Sequence, residues 1–267
     1  MKYNHLMQKV LLINDLSCIG KCSLTVSIPL ISAYDIETIP LPTCTLSNQT
    51  CFKDYIIKDN SEELIEFSKL WKKQGIKFDT IYTGFFKDYK QIDYICDYID
   101  ESKSTIFVDP VLGDDGKQFN CFDKKYLNSL RRLVDKADYI SPNLTEACLL
   151  TNSNINNDPL DIINKFSNDK VVITSVKKDN KIGYLLKDKN ETMYILYDYI
   201  DYELHGTGDV FASLLCANMM KTNNFISSVQ IASKLTNKCI KDTINSNSSY
   251  YGLHFESLIS NRVGGTK

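Results

Sequence analysis

The stretch Gly206-Thr207-Gly208-Asp209 runs directly into an apolar pattern that has the spacing of a helix. The apolar positions of this pattern are Val210, Phe211, Leu214, Leu215 and Met219. Glycines permit a sharp turn and a close approach of the backbone. The first turn of a helix also presents unpaired N–H groups at the positive end of the helix dipole. The stretch therefore predicts a cradle for an anion, such as a phosphoryl group in transfer.

The carboxylate of Asp209 stands at the mouth of this predicted cradle. A carboxylate in that place can accept the proton of a hydroxyl group that attacks the phosphate. A plain glycine turn, in which the acidic residue complements the helix dipole, explains the same four residues. The tetrapeptide by itself leaves both interpretations open.

The rest of the chain alternates short apolar runs with amphipathic segments. We predict strands over residues 10–13, 79–83, 105–108, 139–140 and 171–174, and a hairpin over residues 181–198. We predict helices over residues 20–33, 61–74, 88–101, 123–135, 158–168, 209–221 and 225–244. This alternation is typical of an α/β fold, with a mostly parallel central sheet and helices on both faces.

The chain shows no internal repeat and no long linker, so we expect one domain over residues 1–267. A chain of 267 residues is long enough to bury a substantial core. We expect the Asn- and Ser-rich stretch 245–249 and the tail after about residue 261 to be mobile.

Candidate site residues, most of them polar, follow five of the predicted strands. They are Asn14-Asp15, Gly84-Phe85, Asp109, Asn143 and Thr174-Ser175. Ligands of open α/β sheets bind beyond the carboxyl ends of the strands. The sequence therefore predicts a crevice at this edge of the sheet, with enough polar groups for two substrates.

Composition excludes several classes of protein. The chain has 31 basic and 33 acidic residues, a net charge of −2, and no basic stripe with interleaved aromatics, which argues against a nucleic-acid surface. Nine cysteines, an odd number without a CxxC pair, argue against a disulfide framework or a zinc site. We recognise no signal peptide and no membrane-spanning stretch, so we expect a cytoplasmic protein.

Several motifs occur in an order that resembles the ribokinase-like small-molecule kinases and, within them, the pyridoxal (vitamin B6) kinases. The motifs are Gly20, Leu46-Ser47-Asn48-Gln49-Thr50, Asp109-Pro110-Val111-Leu112-Gly113-Asp114, Ser141-Pro142-Asn143-Leu144-Thr145-Glu146, Val171-Val172-Ile173-Thr174-Ser175 and Gly206-Thr207-Gly208-Asp209. The resemblance covers nearly the whole chain, from Val10 to the helix after Asp209. It implies a ribokinase-like three-layer fold and a homodimer.

The resemblance implies transfer of the γ-phosphoryl group of ATP to the hydroxymethyl group of pyridoxal, pyridoxamine or pyridoxine. In this reaction Asp209 would accept the proton. The backbone N–H groups of Gly206, Thr207 and Gly208 would stabilise the developing negative charge. The sequence does not rank the three vitamers.

The resemblance also implies a nucleotide and metal side of the site. Asp109 and Glu146 would lie around Mg²⁺ and the triphosphate, largely through water. Ser141, Thr174 and Ser175 match positions that line the nucleotide site and a nearby monovalent cation such as K⁺. Asn143 and Glu146, three residues apart, could both face this site, but a helix cap explains that spacing equally well.

The resemblance implies that three further residues line the vitamer side of the site. Asp15 stands where the family often has a serine that faces the pyridine ring, and Thr50 matches a hydroxyl that contacts the substrate. Phe85 replaces a tyrosine that packs over the ring, although ordinary core packing explains a phenylalanine there equally well. The segment 114–122 corresponds to a flap over the nucleotide, or to a surface loop without a role.

Three alternatives remain. Hydroxymethylpyrimidine kinases of the same superfamily often carry a cysteine where this chain has Asp209. Sugar kinases of the superfamily usually insert a lid of strands early in the chain, where this chain has only a short segment before Thr50. A non-catalytic vitamer-binding protein on the same fold would not need Asp209 and Glu146. We assign no role to His205 or Cys121.

Overall fold

The computed structural model describes residues 7–200, 204–246 and 251–263, with side chains as far as residue 260. The stretch 245–249 that we expect to be mobile falls partly on a helix that ends at Ser246, and its remaining residues lie outside the described ones. The tail after residue 261 is helical as far as Val263, and residues 264–267 also lie outside the described part.

Strands and helices alternate along most of the described chain. The strands are β1 (Gln8–Ser17), β2 (Ile36–Leu46), β3 (Ile57–Asp59), β4 (Thr80–Thr83), β5 (Thr105–Val108), β6 (Gly113–Asp114), β7 (Lys117–Gln118), β8 (Tyr139–Ile140), β9 (Lys170–Lys178), β10 (Lys181–Asp188) and β11 (Glu191–Asp198). The helices are α1 (Leu24–Ser32), α2 (Ser61–Lys73), α3 (Tyr89–Asp100), α4 (Lys124–Asp135), α5 (Leu144–Thr151), α6 (Pro159–Ile163), α7 (Thr207–Thr222), α8 (Phe225–Ser246) and α9 (Glu256–Val263).

Nine of the strands form one sheet in the order β11-β10-β9-β8-β5-β4-β1-β2-β3. The neighbours from β9 to β2 all pair in parallel. The pairs β9–β10, β10–β11 and β2–β3 at the two edges are antiparallel. The predicted mostly parallel α/β sheet is therefore confirmed.

Successive residues of the central strands enter two separate hydrophobic layers, because side chains alternate across a strand. In β1, Leu11 and Ile13 join the cluster formed with α2 to α6, whereas Val10 and Leu12 join the cluster formed with α1, α7, α8 and α9. In β5, Val108 belongs to the first cluster and Phe107 to the second. The sheet is thus the middle of three layers, with a helical layer on each face.

The long strand β2 is absent from the predicted elements, and it contains Pro40 and Pro42. Proline cannot donate to a ladder and is confined to strand edges and bulges. The structure places both prolines where β2 pairs only with β1, since β3 covers only Cys44–Leu46 on the other side. Because the prolines stand two residues apart, their ring nitrogens face the same edge of β2, where no strand is paired.

Four predicted boundaries were wrong. Strand β9, predicted over residues 171–174, runs from Lys170 to Lys178, so Thr174 and Ser175 lie within the strand and not at its end. Strand β1 continues through Asn14 and Asp15 to Ser17, with a bulge between Asn14 and Leu16. Helix α1 begins at Leu24 and not at residue 20, because Gly20 (φ 134°) and Ser23 (φ 51°) have positive φ angles that a helix excludes. Helix α6 ends at Ile163, before the turn that carries Asn168.

The aromatic ring of Phe107 supports the middle of the sheet. It is fully buried between the rings of Tyr82, at 4.6 Å between centroids, and Tyr139, at 4.5 Å. We expect Phe107→Ala to lower the free energy of unfolding by about 3–5 kcal/mol, because it leaves a cavity in close-packed surroundings. Urea titration measures this loss, and Phe67→Ala at a 44% exposed position is the matched control. Equal losses for the two variants would contradict the central role of Phe107.

Candidate active site

The predicted crevice lies where the chain reverses its progress across the sheet. The chain passes from β1 to β2 on one side and later returns to β4 on the other side of β1. The ends of β1 and β4 therefore form a topological switch point, where open α/β sheets bind their ligands.

Asn14 joins the two strand ends at this switch point. Its Oδ1 accepts hydrogen bonds from the N–H of Phe85 at 2.8 Å and from the N–H of Asp15 at 2.9 Å. A Cβ added to Gly84 would lie 2.4 Å from the Asn14 amide nitrogen, so this position requires glycine. The sequence placed Asn14 at a strand end but did not reveal this bracing role.

The turn before α7 has the open N-terminus predicted from the sequence. Gly206 is the N-cap, with a φ of 79°, and no side chain caps the helix. A Cβ on Gly206 would lie 2.1 Å from the carbonyl oxygen of Lys21, whereas a Cβ on Gly208 would meet nothing within 4 Å. The chain thus packs closely against one side of the turn and leaves space beside Gly208. The N–H groups of the first turn of α7 can receive an anion there.

Asp209 lies in the first turn of α7. Burial and the negative charges of Asp109 and Asp15 raise the pKa of the Asp209 carboxyl to about 8, and a hydrogen bond from the N–H of Ser23 acts in the opposite direction. A carboxylate with a pKa near neutrality is well matched to proton transfer at neutral pH.

Asp15 is buried at the end of β1, with 7% of its surface exposed. The hydroxyl of Ser17 donates to its Oδ2 at 2.8 Å. Burial raises the pKa of Asp15, and hydrogen bonds from the side chains of Ser23 and Ser17 lower it. The sequence missed both serines, because neither belongs to a recognisable motif.

Asp109 follows β5 and accepts a hydrogen bond from the Ser141 hydroxyl at 2.9 Å. Burial raises its pKa to about 7. The pKa of Glu146 is also raised, first by burial and then by the charge of Asp109. Two carboxylates that raise each other's energy in this way would be stabilised by a cation between or beside them.

The helix-cap interpretation of Asn143 and Glu146 is confirmed. Asn143 Oδ1 accepts from the Glu146 N–H at 2.9 Å, and Glu146 Oε2 accepts from the Asn143 N–H at 2.8 Å, which is a capping box. Glu146 Oε1 accepts from the N–H of Leu112 at 3.0 Å. The Asn143 amide nitrogen donates to the carbonyl of Gly113 at 2.8 Å. The nucleotide role of Asn143 stays a prediction.

The backbone N–H groups that donate to Glu146 limit how this side chain could bind the predicted Mg²⁺. Both of its oxygens already accept backbone N–H groups, so the side chain fits a cation held through water better than one ligated directly. Within the described part of the chain, no three His, Cys, Asp or Glu residues are grouped so that they could hold a metal by themselves. A cation that arrives with phosphate oxygens and its own waters is compatible with Asp109 and Glu146.

Thr174 and Ser175 lie on β9, next to the start of α5. Thr174 forms an isolated parallel bridge with Asn143, and its N–H donates to the carbonyl of Pro142 at 2.9 Å. Ser175 is exposed and has a φ of 60°. Of the three residues predicted to line the nucleotide, Ser141 contacts Asp109, and the nucleotide role of Ser141, Thr174 and Ser175 stays a prediction.

Phe85 packs partly against the core, as the core-packing interpretation of this residue predicts. Its ring also lies 5.9 Å from that of Phe122, at the end of the predicted flap. The flap is a two-stranded hairpin, β6 and β7, which docks on α5 through a bond from the Gly116 N–H to the Thr145 hydroxyl at 2.8 Å. Thr50 is exposed.

An apolar cavity of about 200 Å³ lies elsewhere, within the layer formed by α1, α7, α8 and α9. Its lining consists of Leu30, Ala33, Tyr34, Leu214, Leu235, Lys238, Leu258 and Ile259. None of these residues belongs to the candidate site, and they offer no carboxylate or helix N-terminus. His205 and Cys121 are both exposed, and neither gains a role from the structure. No helix in the described ranges combines the length and apolarity needed to cross a membrane.

Sequence comparison relates the chain to two kinds of kinase. Residues 43–254 match the phosphomethylpyrimidine kinase family. The hydroxymethylpyrimidine/phosphomethylpyrimidine kinase of Bacillus subtilis is 25% identical over 186 residues, covering 66% of this chain and 69% of that protein. Human pyridoxal kinase is 29% identical over 186 residues, covering 59% of this chain and 60% of that protein. The match thus spans less than two thirds of the human enzyme.

Solved structures match over nearly the whole chain. A putative phosphomethylpyrimidine kinase from Bacteroides thetaiotaomicron has a TM-score of 0.91 and 30% identity, covering 98% of this chain and 96% of that chain. An orthorhombic form of the same protein, with pyridoxal, has a TM-score of 0.86. Pyridoxal kinase from Lactobacillus plantarum has a TM-score of 0.91 and 26% identity, covering 97% of this chain and 98% of that chain.

The raised pKa of Asp209 predicts how stability depends on pH. Its carboxyl has a pKa of about 8 in the folded protein and an ordinary value of 3.8. Between these values the folded chain retains a proton that the unfolded chain has released, so this group makes the free energy of unfolding fall as pH rises. We expect Asp209→Asn to gain stability over the parent as pH rises from about 4 to about 8.

Urea titrations of both proteins near the two ends of this pH range measure the effect. Asp97→Asn, at an exposed position on α3, is the control and should show no such trend. A stability difference between Asp209→Asn and the parent that stays constant with pH would contradict the assignment.

Proposed function

Because the chain belongs to the phosphomethylpyrimidine kinase family, we propose that it is an ATP-dependent pyridoxal kinase, which phosphorylates the hydroxymethyl group of a B6 vitamer to give the 5′-phosphate. The comparisons confirm the resemblance to ribokinase-like vitamin B6 kinases and the three-layer fold. They support a phosphotransferase that acts on a vitamin B6 or pyrimidine substrate. Asp209, a carboxylate with raised pKa at the uncapped N-terminus of α7, is the observation that carries the proposed phosphoryl transfer.

In the proposed reaction the hydroxymethyl group of the acceptor gives its proton to Asp209 as its oxygen attacks the γ-phosphorus. The oxygen–phosphorus bond to ADP breaks, and ADP leaves. The N–H groups of Gly206, Thr207 and Gly208 stabilise the negative charge on the transferring phosphoryl group. Their helix has no side-chain cap that would compete for them.

Magnesium that enters with ATP would neutralise charge on the phosphates and so ease their transfer. Asp109 and Glu146 would hold it through water, in agreement with the hydrogen bonds that already occupy both oxygens of Glu146. Ser141, Thr174 and Ser175 would line the nucleotide side, where a monovalent cation such as K⁺ also fits the proposal. The homodimer stays a prediction.

The vitamer would lie on the other side of Asp209, near Asp15, Thr50 and Phe85. Asp15 is buried and accepts bonds from two serine hydroxyls, which keep the carboxylate in one orientation. A buried carboxylate favours a partner that offers a donor or a positive charge, such as a ring nitrogen or ring hydroxyl. Phe85 has a partly exposed ring that can pack against a flat substrate.

Hydroxymethylpyrimidine is the second candidate acceptor. The family match and the Bacillus subtilis relative both favour it. It also presents a hydroxymethyl group on a flat heteroaromatic ring, so Asp209 and the cradle could serve it by the same chemistry. Pyridoxal is preferred here because the Bacteroides protein with pyridoxal and the Lactobacillus pyridoxal kinase match nearly the whole chain.

A coupled assay of ADP formation tests the proposal, with ATP, magnesium and each of pyridoxal, pyridoxamine, pyridoxine and hydroxymethylpyrimidine. We expect the highest specificity constant with a B6 vitamer. A higher value with hydroxymethylpyrimidine would replace the proposal with the second candidate. Vitamer binding in a calorimeter without any ADP formation would indicate a non-catalytic binding protein.

Asp209→Asn should lower turnover by about 10²–10⁴-fold, because the variant loses the group that accepts the proton. Binding of ATP, measured by calorimetry, should change little, because the backbone N–H groups remain. Asp97→Asn is again the control for a carboxylate lost at an exposed position. Near-normal turnover of Asp209→Asn would remove Asp209 from the mechanism.

Asp15→Ser should change the ratio of specificity constants among pyridoxal, pyridoxamine and pyridoxine, because a buried charge discriminates among rings with different donors. The KM for ATP should change little. Asp15→Asn, of nearly the same size, separates the effect of charge from that of volume. Unchanged ratios, or a loss confined to ATP, would place Asp15 outside the vitamer pocket.

A further inference from the structure

The segment Tyr251–Glu256, which follows α8 and ends on the first residue of α9, contacts the loops that carry the acceptor side of the candidate site. We call residues 251–256 the clasp. It touches the loop between β1 and α1 at Lys21, the segment after β2 at Gln49 and Phe52, and the turn before α7 at His205. These three segments are far apart in sequence, so their relative position depends on tertiary contacts of this kind.

A single carbonyl group of the clasp binds two of these segments. The carbonyl oxygen of Tyr251 accepts from the N–H of Lys21 at 2.9 Å and from the side-chain amide of Gln49 at 3.4 Å. Gln49 is buried and lies against Gly20, where an added Cβ would be 2.8 Å from its Cδ. The loop after β1 and the segment that bears Thr50 are therefore held to the same point.

The backbone of Lys21 is enclosed by two glycines. A Cβ on Gly206 would lie 2.1 Å from the Lys21 carbonyl oxygen, and a Cβ on Gly252 would lie 3.1 Å from the same atom. The Cβ on Gly252 would also lie 2.9 Å from Lys21 Cβ and 3.2 Å from the carbonyl oxygen of His205. The clasp, the loop and the phosphate cradle thus meet at Lys21 with no room for a side chain at either glycine.

The clasp itself is anchored to the core. Leu253 is fully buried and Phe255 is 5% exposed, both in the hydrophobic layer under α7. The N–H of His254 donates to the hydroxyl of Thr243 on α8 at 2.8 Å. At the surface, Glu256 forms an ion pair with the Lys21 ammonium at 2.7 Å. Because the clasp is anchored in this way, it can hold the loops at Lys21 and Gln49 in place.

The loop that the clasp holds leads into the groups that orient the two acceptor-side carboxylates. Ser23 follows Lys21 by two residues, donates its N–H to Asp209 and bonds to Asp15 through its side chain. Its φ of 51° is strained for a residue with a side chain, so its surroundings must impose this conformation. The packing of Lys21 between Gly206 and Gly252 supplies such a constraint.

We propose that Gly252 and Tyr251 are positioning residues for the phosphoryl acceptor, which act through Lys21 and Gln49 to place Asp15, Thr50 and Asp209 around the substrate. The identity of the acceptor rests on the proposed function, but the mechanical role of the clasp does not. The described contacts of the clasp reach the acceptor side and the cradle, and they do not include Asp109, Ser141 or Glu146. Its loss should therefore affect the acceptor more than ATP.

The first test is Gly252→Ala, with Gly75→Ala as the matched control. Both glycines have a positive φ, 128° and 71°, but a Cβ on Gly75 would meet nothing within 4 Å. The control therefore includes the milder backbone strain of the left-handed region without displacement of a loop, and the second readout below separates the loops from strain at residue 252 itself. We expect Gly252→Ala to raise the KM for the acceptor about tenfold or more, with a smaller change in the KM for ATP, and Gly75→Ala to change neither.

Hydrogen–deuterium exchange is the second readout, and it needs no catalytic activity. In Gly252→Ala, peptides over residues 18–26 and 46–52 should exchange faster than in the parent, and in Gly75→Ala they should not. If the parent phosphorylates no tested acceptor, the proposed function fails, and the exchange pattern still decides the role of the clasp. Unchanged exchange in both peptides, or a KM increase that is equal for ATP and acceptor, would overturn the proposal.

A milder variant covers the case in which Gly252→Ala does not fold. The rings of Tyr251 and Phe52 stack at 5.8 Å with an angle of 14° between their planes. Tyr251→Ala removes this stack but keeps the backbone carbonyl that binds Lys21, so exchange should increase mainly in residues 46–52 and the acceptor KM should rise. Tyr251→Phe should restore both values. No increase in Tyr251→Ala, or no recovery in Tyr251→Phe, would contradict the positioning role.

Discussion

The bond network of Asn14 at the end of β1 is the constraint from which the site is built. Strand β1 is central, and the chain leaves it in one direction toward β2 and returns on its other side as β4. The Asn14 side chain bridges this divergence by accepting the N–H groups of Asp15 and Phe85, and Gly84 leaves the space that it needs. A buried N–H without a partner is costly, and this single amide oxygen satisfies two such groups where the strands diverge.

Four carboxyl groups of the candidate site resist ionisation. Burial raises the pKa of Asp15, Asp109, Glu146 and Asp209, and the charges of Asp15 and Asp109 raise that of Asp209 further. Such an arrangement lowers the stability of the folded protein at neutral pH, since each carboxylate resists ionisation. It is useful where a base must work near neutral pH and where a cation enters with an anionic substrate.

Glycines determine how the loops meet around this charge. Gly206 and Gly252 enclose the backbone of Lys21, and the loop then turns through Ser23 to reach Asp209. Close packing of backbone against backbone tolerates little adjustment. The acceptor side therefore depends on a segment near the C-terminal end of the described chain, which shares no motif with the residues that it positions.

The sequence alone predicted the α/β class, the alternation of strands and helices, the strand end that carries Asp109 and the helix start that carries Asp209, because local periodicity and turn chemistry act over a few residues. It did not predict β2, whose prolines are tolerated only because β3 leaves one edge open. It left two explanations for Asn143 and Glu146, and only the hydrogen bonds identified the capping box. The roles of Ser23 and Gly252 have no signal in the sequence, since their partners lie on other segments, and Ser17 belongs to no recognisable motif although its partner Asp15 lies on the same strand. Contacts between segments distant in sequence leave no local pattern, so the way in which the acceptor side is held together is visible only in the folded chain.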